Sequence, residues 1–215
     1  VWFKQDAAET MAGAASASYY NSVNIGLPIA TYVLGDPTYV IPALVLQMAV
    51  LSPIVIAGLD RGASGFVKSV LSGLTAPVVV AAFAGFAVSA ASWQVPEPVL
   101  APLEILGGAS IPLILMSFGA SLTGEKVLQS HRLPTTTATA LKLIGMPAVA
   151  WVVAKLLHLG PEETYAALIL CALPTAQNVY NYAATYRSGE VICRDTVFLT
   201  TFLALPAMLL IAGVF

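Results

Sequence analysis

Long apolar runs separated by short polar breaks fill this chain, and seven of the runs have the length of a membrane-spanning helix. A bilayer core of about 30 Å requires about 20 mostly apolar residues per helix. Transmembrane strands would instead alternate apolar and polar residues over about ten positions, which residues 78–82 do not do. The pattern therefore predicts an all-α transmembrane fold with seven helices. The predicted spans are 11–34, 39–59, 75–93, 100–122, 136–157, 164–186 and 195–215.

The composition agrees with a protein of the bilayer. Hydrophobic residues make up 58% of the chain, charged residues make up 9%, and the mean hydropathy is +0.85. In a soluble domain, charged residues make up about a quarter. We therefore predict an integral membrane protein of the cell membrane, either inner or plasma membrane. The two cysteines form no disulfide framework and the two histidines lack ligand spacing, so we expect no cofactor, no metal ion and no nucleic-acid partner.

Basic residues gather in alternate breaks, which sets the predicted orientation, because Lys and Arg favour the cytoplasmic side. With the N-terminus inside, only Lys155 lies near the outer face, and Lys142 falls within a span. The cytoplasmic breaks then hold Lys4, Arg61, Lys68, Lys126, Arg132, Arg187 and Arg194.

A seven-residue sequence occurs twice and indicates an internal repeat. Residues 30–36, Ala-Thr-Tyr-Val-Leu-Gly-Asp, recur at 184–190 as Ala-Thr-Tyr-Arg-Ser-Gly-Glu. The shift aligns Asn24 with Asn178. The two copies end the first and the sixth spans, which are five positions apart in the order of spans, an odd number, so these two spans cross the membrane in opposite directions. Inverted repeats of this kind build the substrate sites of many secondary transporters.

The repeat predicts how the chain is divided. Residues 1–59 would hold the last two helices of a first repeat, and residues 60–74 a cytoplasmic connecting loop. Residues 75–215 would form a complete second repeat of five helices. This scheme makes the seven helices the last seven of a ten-helix, five-plus-five fold, so we expect an N-terminal truncation that removes three helices.

Two spans, the first and the sixth, combine proline with several amide side chains. Proline inside a helix removes a backbone donor and clashes with the preceding turn, and unpaired backbone groups in lipid are tolerated only against protein or a cavity. We therefore predict two broken helices near the membrane centre, whose half-helix N-termini suit an anion. The alternative is that these residues only join helices or kink them. The predicted substrate-binding residues are Asn21, Asn24, Gln177, Asn178 and Asn181, and the predicted helix-break residues are Gly26, Pro28 and Pro174.

Charged side chains within spans are functional candidates by default. Glu104 either has a structural role near the start of the fourth span or carries a coupling proton. Lys142 is expected to extend its ammonium to the inner interface, and the alternatives are a catalytic role or pairing with the substrate. Small residues at 107–112 and 117–122 predict close packing of the fourth span against another helix, which would also allow this span to border the cavity.

Three segments, 21–28, 111–122 and 172–186, together resemble the auxin efflux carrier (AEC) family of membrane transporters, in its bacterial type. The resemblance implies a ten-helix inverted-repeat fold in which the fourth and ninth helices are broken and cross at the substrate site. This chain has Tyr20 and Val179 where plant carriers place prolines at the crossing. It also has Ala76-Pro77 where an Asn-Pro pair often opens the sixth helix.

The resemblance implies a secondary active transporter of a small organic anion that works by alternating access. A carboxylate is expected, either malonate-like or auxin-like, with coupling to protons or sodium left open. The alternatives are a channel or a non-transporting structural subunit of the membrane. An enzyme is not expected, because no paired carboxylates, His-Glu metal spacing or serine with a base partner occurs within a common membrane depth. The expected partners are the anion and the lipid bilayer, and a homodimer is compatible with them.

Overall fold

The computed structural model of the protein describes residues 5–60, 66–123 and 126–215, and within these ranges it contains helices, turns and connections but no strand. The all-α prediction is confirmed, whereas the arrangement as an inverted repeat of seven helices stays a prediction. The helices are α1 (Ala7–Ser18), α2 (Leu27–Tyr32), α3 (Ile41–Leu46), α4 (Ser52–Leu59), α5 (Phe66–Thr75), α6 (Pro77–Ala90), α7 (Glu97–Ser121), α8 (Arg132–Ala140), α9 (Met146–Leu156), α10 (Pro161–Cys171), α11 (Gln177–Thr185) and α12 (Glu190–Val214).

Among the described residues, three helical segments are long and apolar enough to cross a membrane. They are Pro37–Leu59, Arg132–Leu156 and Glu190–Val214. The first two each combine a pair of α-helices, α3 with α4 and α8 with α9, through an intervening π-helical turn. These three segments coincide with the second, fifth and seventh predicted spans.

Each π-helical turn begins six residues before a proline. Proline has no N–H, and its ring clashes with the carbonyl four residues earlier. In the wider π turn, the N–H of the residue before the proline donates a hydrogen bond to the carbonyl five residues earlier. The helix therefore continues past the proline. Such bulges are frequent at functional sites. The turns are Ser22–Gly26 before Pro28, Gln47–Leu51 before Pro53, and Leu141–Gly145 before Pro147.

The first and sixth predicted spans are both broken, as expected. α1 ends at Ser18, and the extended Tyr19 follows it. α10 ends at Cys171, and Pro174 lies in the connection to α11. Gly26 ends a π turn and Pro28 is the second residue of α2. Both therefore lie on the C-terminal side of the first break, within the helical segment that continues from the π turn into α2.

The second part of the predicted connecting segment, residues 60–74, is helical. Residues 66–74 form most of α5, which packs against α4. Apolar residues recur there with helical spacing, which favours a helix over a loop. The first part of the loop, residues 61–65 with the predicted inner residue Arg61, lies outside the described residues, as does Lys4.

Gly73 allows α5 to approach α4 closely. A Cβ atom added at Gly73 would overlap the backbone oxygen of Pro53, which cannot move aside as a flexible side chain could. We expect Gly73→Ala to lower the free energy of unfolding by about 1–3 kcal/mol, the usual effect of overpacking. Thermal unfolding in detergent measures it. Gly85→Ala is the matched control, because nothing lies within 4 Å of that added Cβ, and equal melting temperatures for the two variants would contradict this account.

The repeated sequence marks two helix ends. Gly35 follows α2 with φ +77°, and Gly189 follows α11 with φ +65°. Both are left-handed conformations that glycine adopts without steric cost. Next to Gly35, hydrogen bonds from the side chain and backbone of Thr38 hold the pKa of the Asp36 carboxyl below its usual value.

α1 lies at the centre of the fold and contacts α4, α8, α11 and α12. Its small buried residues, among them Ala12 and Ala15, allow these helices to approach it. α7 contacts α11, and the close packing predicted for its small residues stays a prediction. A Cβ added at Gly107, Gly108 or Gly119 meets no atom of the described residues within 4 Å.

Candidate functional site

The two helix breaks lie against each other and share backbone hydrogen bonds. The Asn21 N–H donates to the Pro174 carbonyl at 2.9 Å. The Thr175 hydroxyl donates to the Ser16 carbonyl at 2.7 Å, and the Thr175 N–H donates to the Thr200 hydroxyl at 3.0 Å. Backbone groups that the breaks release thus find partners inside the protein, as burial requires. The contact falls at Pro174. This is five residues before Val179, the position at which plant carriers of the resembling family have the proline of the crossing.

A small polar pocket opens beside this contact. Its volume is about 160 Å³, well below the ~300–1,000 Å³ of sites for drug-sized ligands. Hydroxyl and amide groups make up much of its wall, and none of its lining residues carries a formal charge. The lining residues are Tyr19, Tyr20, Asn21, Ser22, Val23, Asn24, Gln47, Met48, Ser110, Ala176, Gln177 and Asn178.

Four of the five predicted substrate-binding residues line this pocket: Asn21, Asn24, Gln177 and Asn178. The Asn24 Nδ2 group donates to Gln177 Oε1 at 3.3 Å, so the two breaks also meet through their side chains. Asn21 caps the second half of its broken helix, because its Oδ1 accepts the Asn24 N–H at 3.2 Å.

Two predicted residues lie away from the pocket. Asn181 is in α11, one helical turn beyond Asn178, and does not belong to the lining. Glu104 is exposed on α7, outside the lining as well. α7 reaches the pocket through Ser110, whose hydroxyl donates to the Gly107 carbonyl at 2.6 Å. For that segment the sequence favoured a packing role, with a position beside the cavity as the alternative.

The N-terminus of α11 opens onto the pocket. Ala176 precedes α11 in an extended conformation, and it lines the pocket together with Gln177 and Asn178. The first N–H groups of a helix lack intrahelical partners and carry about half a positive charge. This end of the pocket therefore favours an anionic group.

Gln47 also lines the pocket, although it was not predicted from the sequence. It lies in the π turn Gln47–Leu51, and its side chain is buried. Its Oε1 accepts the Ser22 hydroxyl at 2.8 Å, and its Nε2 donates to the Tyr20 carbonyl at 3.0 Å. The sequence feature that could have identified Gln47 is its position, as a polar residue six positions before Pro53.

A second set of hydrogen bonds extends from Gln47 into both broken helices. The Ser52 hydroxyl donates to the Gln47 carbonyl at 2.9 Å. The Tyr19 hydroxyl lies 3.2 Å from the Ser52 hydroxyl, and the Tyr182 hydroxyl is also 3.2 Å from it. Ser52 therefore joins the first break to α11 behind the pocket.

Lys142 lies beside the same region, and the prediction that it reaches the membrane interface is wrong. The side chain is fully buried, and its Nζ donates to the Cys171 carbonyl at 2.9 Å. It also lies 5.6 Å from the centroid of the Tyr20 ring. The side chain points inward because the helix break provides a partner for it. Cys171 ends α10, so its carbonyl has no N–H partner within the helix.

A larger cavity of about 400 Å³ lies between α3 and α6. It is almost entirely apolar, so it offers an anion few donors. Within the ranges described, no group of three or more His, Cys, Asp or Glu side chains is placed to hold a metal ion.

Comparison with known proteins gives a consistent result. The Mem_trans family, described as membrane transport protein, matches residues 61–212. The "Uncharacterized transporter MJ1031" of Methanocaldococcus jannaschii is 26% identical over 57% of this chain and 38% of its own length. The "Putative malonate transporter" of Rhizobium meliloti (strain 1021) is 27% identical over 93% of this chain and 65% of its own length. The chain thus spans less than two thirds of either relative.

Proposed function

We propose that this chain, which belongs to the Mem_trans family of membrane transport proteins, forms the substrate-binding part of a secondary transporter for a small organic anion. It is an integral membrane protein of the cell membrane, and family membership points to a transporter rather than an enzyme. The proposed substrate is a short carboxylate, either malonate-like or auxin-like.

The observation that carries the proposal is the polar pocket where the two helix breaks meet. It combines amide donors from both breaks, on Asn24 and Asn178, with the N-terminus of α11. Donors without a lining carboxylate suit an anion. The pocket's volume suits a ligand of few atoms. The name of the Rhizobium meliloti relative, which covers most of this chain, agrees with a carboxylate.

The proposed mechanism is alternating access, because the binding residues come from two separate broken helices. In the proposed inverted repeat, residues 1–59 belong to one unit and residues 75–215 to the other. Movement of one unit against the other would open the pocket first to one side and then to the other. The coupling ion, a proton or sodium, belongs to this proposal, with Glu104 as its proton-carrying candidate.

Uptake into proteoliposomes tests the proposal. The full-length protein is reconstituted, and radiolabelled mono- and dicarboxylates are offered with imposed proton, sodium and electrical gradients. We expect saturable uptake of at least one short carboxylate and accelerated exchange when the same anion fills the lumen. Flux that never saturates and shows no exchange would indicate the alternative, a channel. Absence of both binding and flux would favour a structural subunit.

A further inference from the structure

The buried ammonium of Lys142 has an unusual setting for a residue within a membrane span. Its side chain is fully buried, yet across the described ranges no carboxylate lies within ion-pair distance of it. Its polar contacts are the Cys171 carbonyl at 2.9 Å and the Tyr20 ring at 5.6 Å. Burying a charge without an opposite charge nearby costs free energy, so a buried ammonium at this position requires a structural or functional explanation.

Capping of α10 compensates only part of this charge. The C-terminus of a helix carries about half a negative charge, whereas the ammonium carries a full positive one. The Tyr20 ring adds a further weak attraction. A substantial positive potential therefore remains around Lys142.

That potential reaches the pocket through Tyr20. The Tyr20 ring lies against the ammonium and also belongs to the pocket lining. The lining itself contains no charged side chain. Electrostatic interactions are weakly screened in a buried setting, so an anion in the pocket gains from a cation behind its wall.

We propose that Lys142 supplies the positive charge that gives this pocket its preference for anions. It is a positioning residue that acts across the Tyr20 ring without touching the substrate. The inference rests on the proposed function, since it concerns the charge of the ligand in the same pocket. It assigns selectivity to a residue of the π turn Leu141–Gly145, outside the two broken helices.

Binding of a charged and a neutral ligand to charge variants of the full-length protein tests the proposal. The probes are malonate and its neutral diamide, malonamide. Lys142→Gln removes the charge but keeps a donor for the Cys171 carbonyl, and Lys142→Arg keeps the charge. Lys155→Gln is the matched control, because Lys155 is exposed on α9 beside Trp151.

We expect Lys142→Gln to weaken malonate binding about tenfold, which corresponds to about 1.4 kcal/mol, and to leave malonamide binding within about twofold of the wild type. Lys142→Arg and Lys155→Gln should keep the wild-type preference for malonate. An equal loss for both ligands would show that Lys142 only stabilises α10, and would overturn the inference while the proposed function stands. A wild-type protein that binds no carboxylate would overturn both.

Discussion

Replacing Asn24 and Asn178 together by alanine is expected to reduce carboxylate uptake about 100-fold or more. Both amides line the pocket, one from each broken helix. A hydrogen bond to a charged group contributes about 1.5–3 kcal/mol, so losing two removes about 3 kcal/mol or more, and each 1.4 kcal/mol is a factor of ten. The measurement is the initial uptake rate divided by substrate concentration, in proteoliposomes with matched protein content.

Asn181→Ala is the matched control for this loss. Asn181 lies in the same helix as Asn178 but outside the pocket lining, so its uptake should stay within about threefold of the wild type. Asn24 is half-buried, and the double variant should unfold within a few degrees of the wild type. Unchanged uptake in the double variant would contradict the assignment of the pocket as the substrate site.

The sequence was sufficient to find both helix breaks, because each combines local signals. Proline and several amides within one apolar span conflict with a continuous lipid-facing helix, whatever the rest of the fold does. The repeat then related the two spans to each other. For this reason four of the five predicted amides lie at one pocket, although the pairing of Asn24 with Gln177, and not with Asn178, required the structure.

Residues that reach the pocket from other helices could not be predicted in the same way. Gln47 and Ser110 are single polar residues in apolar spans, a pattern equally typical of simple helix contacts. Lys142 is two turns from a predicted span end, where a lysine usually extends to the interface. Its inward direction depends on the unpaired carbonyl of Cys171, which is far away in the sequence.

The prolines of this chain do not all disturb their helices in the same way. A π turn precedes Pro28, Pro53 and Pro147, but Pro112 and Pro206 lie inside α7 and α12 without one. Proline therefore predicts a local disturbance of a helix, whereas its form depends on the surrounding packing. The three π turns coincide with buried polar side chains from Ser22, Gln47 and Lys142.

Replacing Gln47 by leucine is expected to destabilise the protein and to impair transport at the same time. The variant keeps the size of the side chain but removes its bonds to the Ser22 hydroxyl and the Tyr20 carbonyl. Interhelical hydrogen bonds in membrane proteins contribute about 0.6 kcal/mol on average and up to about 1.7, while a buried group left unpaired costs about 1–3 kcal/mol. We expect a loss of about 2–4 kcal/mol in unfolding free energy.

The transport defect should exceed what reduced stability explains. Gln47 holds Tyr20 and Ser22, the residues on either side of Asn21 at the first break, so its loss displaces the pocket wall. Uptake per folded protein is expected to fall about tenfold, as though about 1.4 kcal/mol of binding were lost. Met48→Leu is the matched control, since Met48 is the apolar neighbour in the same π turn and also lines the pocket.

A double-mutant cycle with Ser22→Ala isolates the bond between the two side chains. If the Ser22 hydroxyl and Gln47 Oε1 interact as their 2.8 Å separation indicates, the two substitutions together should cost less than the sum of their separate effects, by about 0.5–1.5 kcal/mol. Additive effects would mean that Gln47 stabilises the break through the Tyr20 carbonyl alone. Gln47→Leu with wild-type stability and uptake would show that the first break keeps its shape without this side chain, and that the amides of the two broken helices suffice to form the pocket.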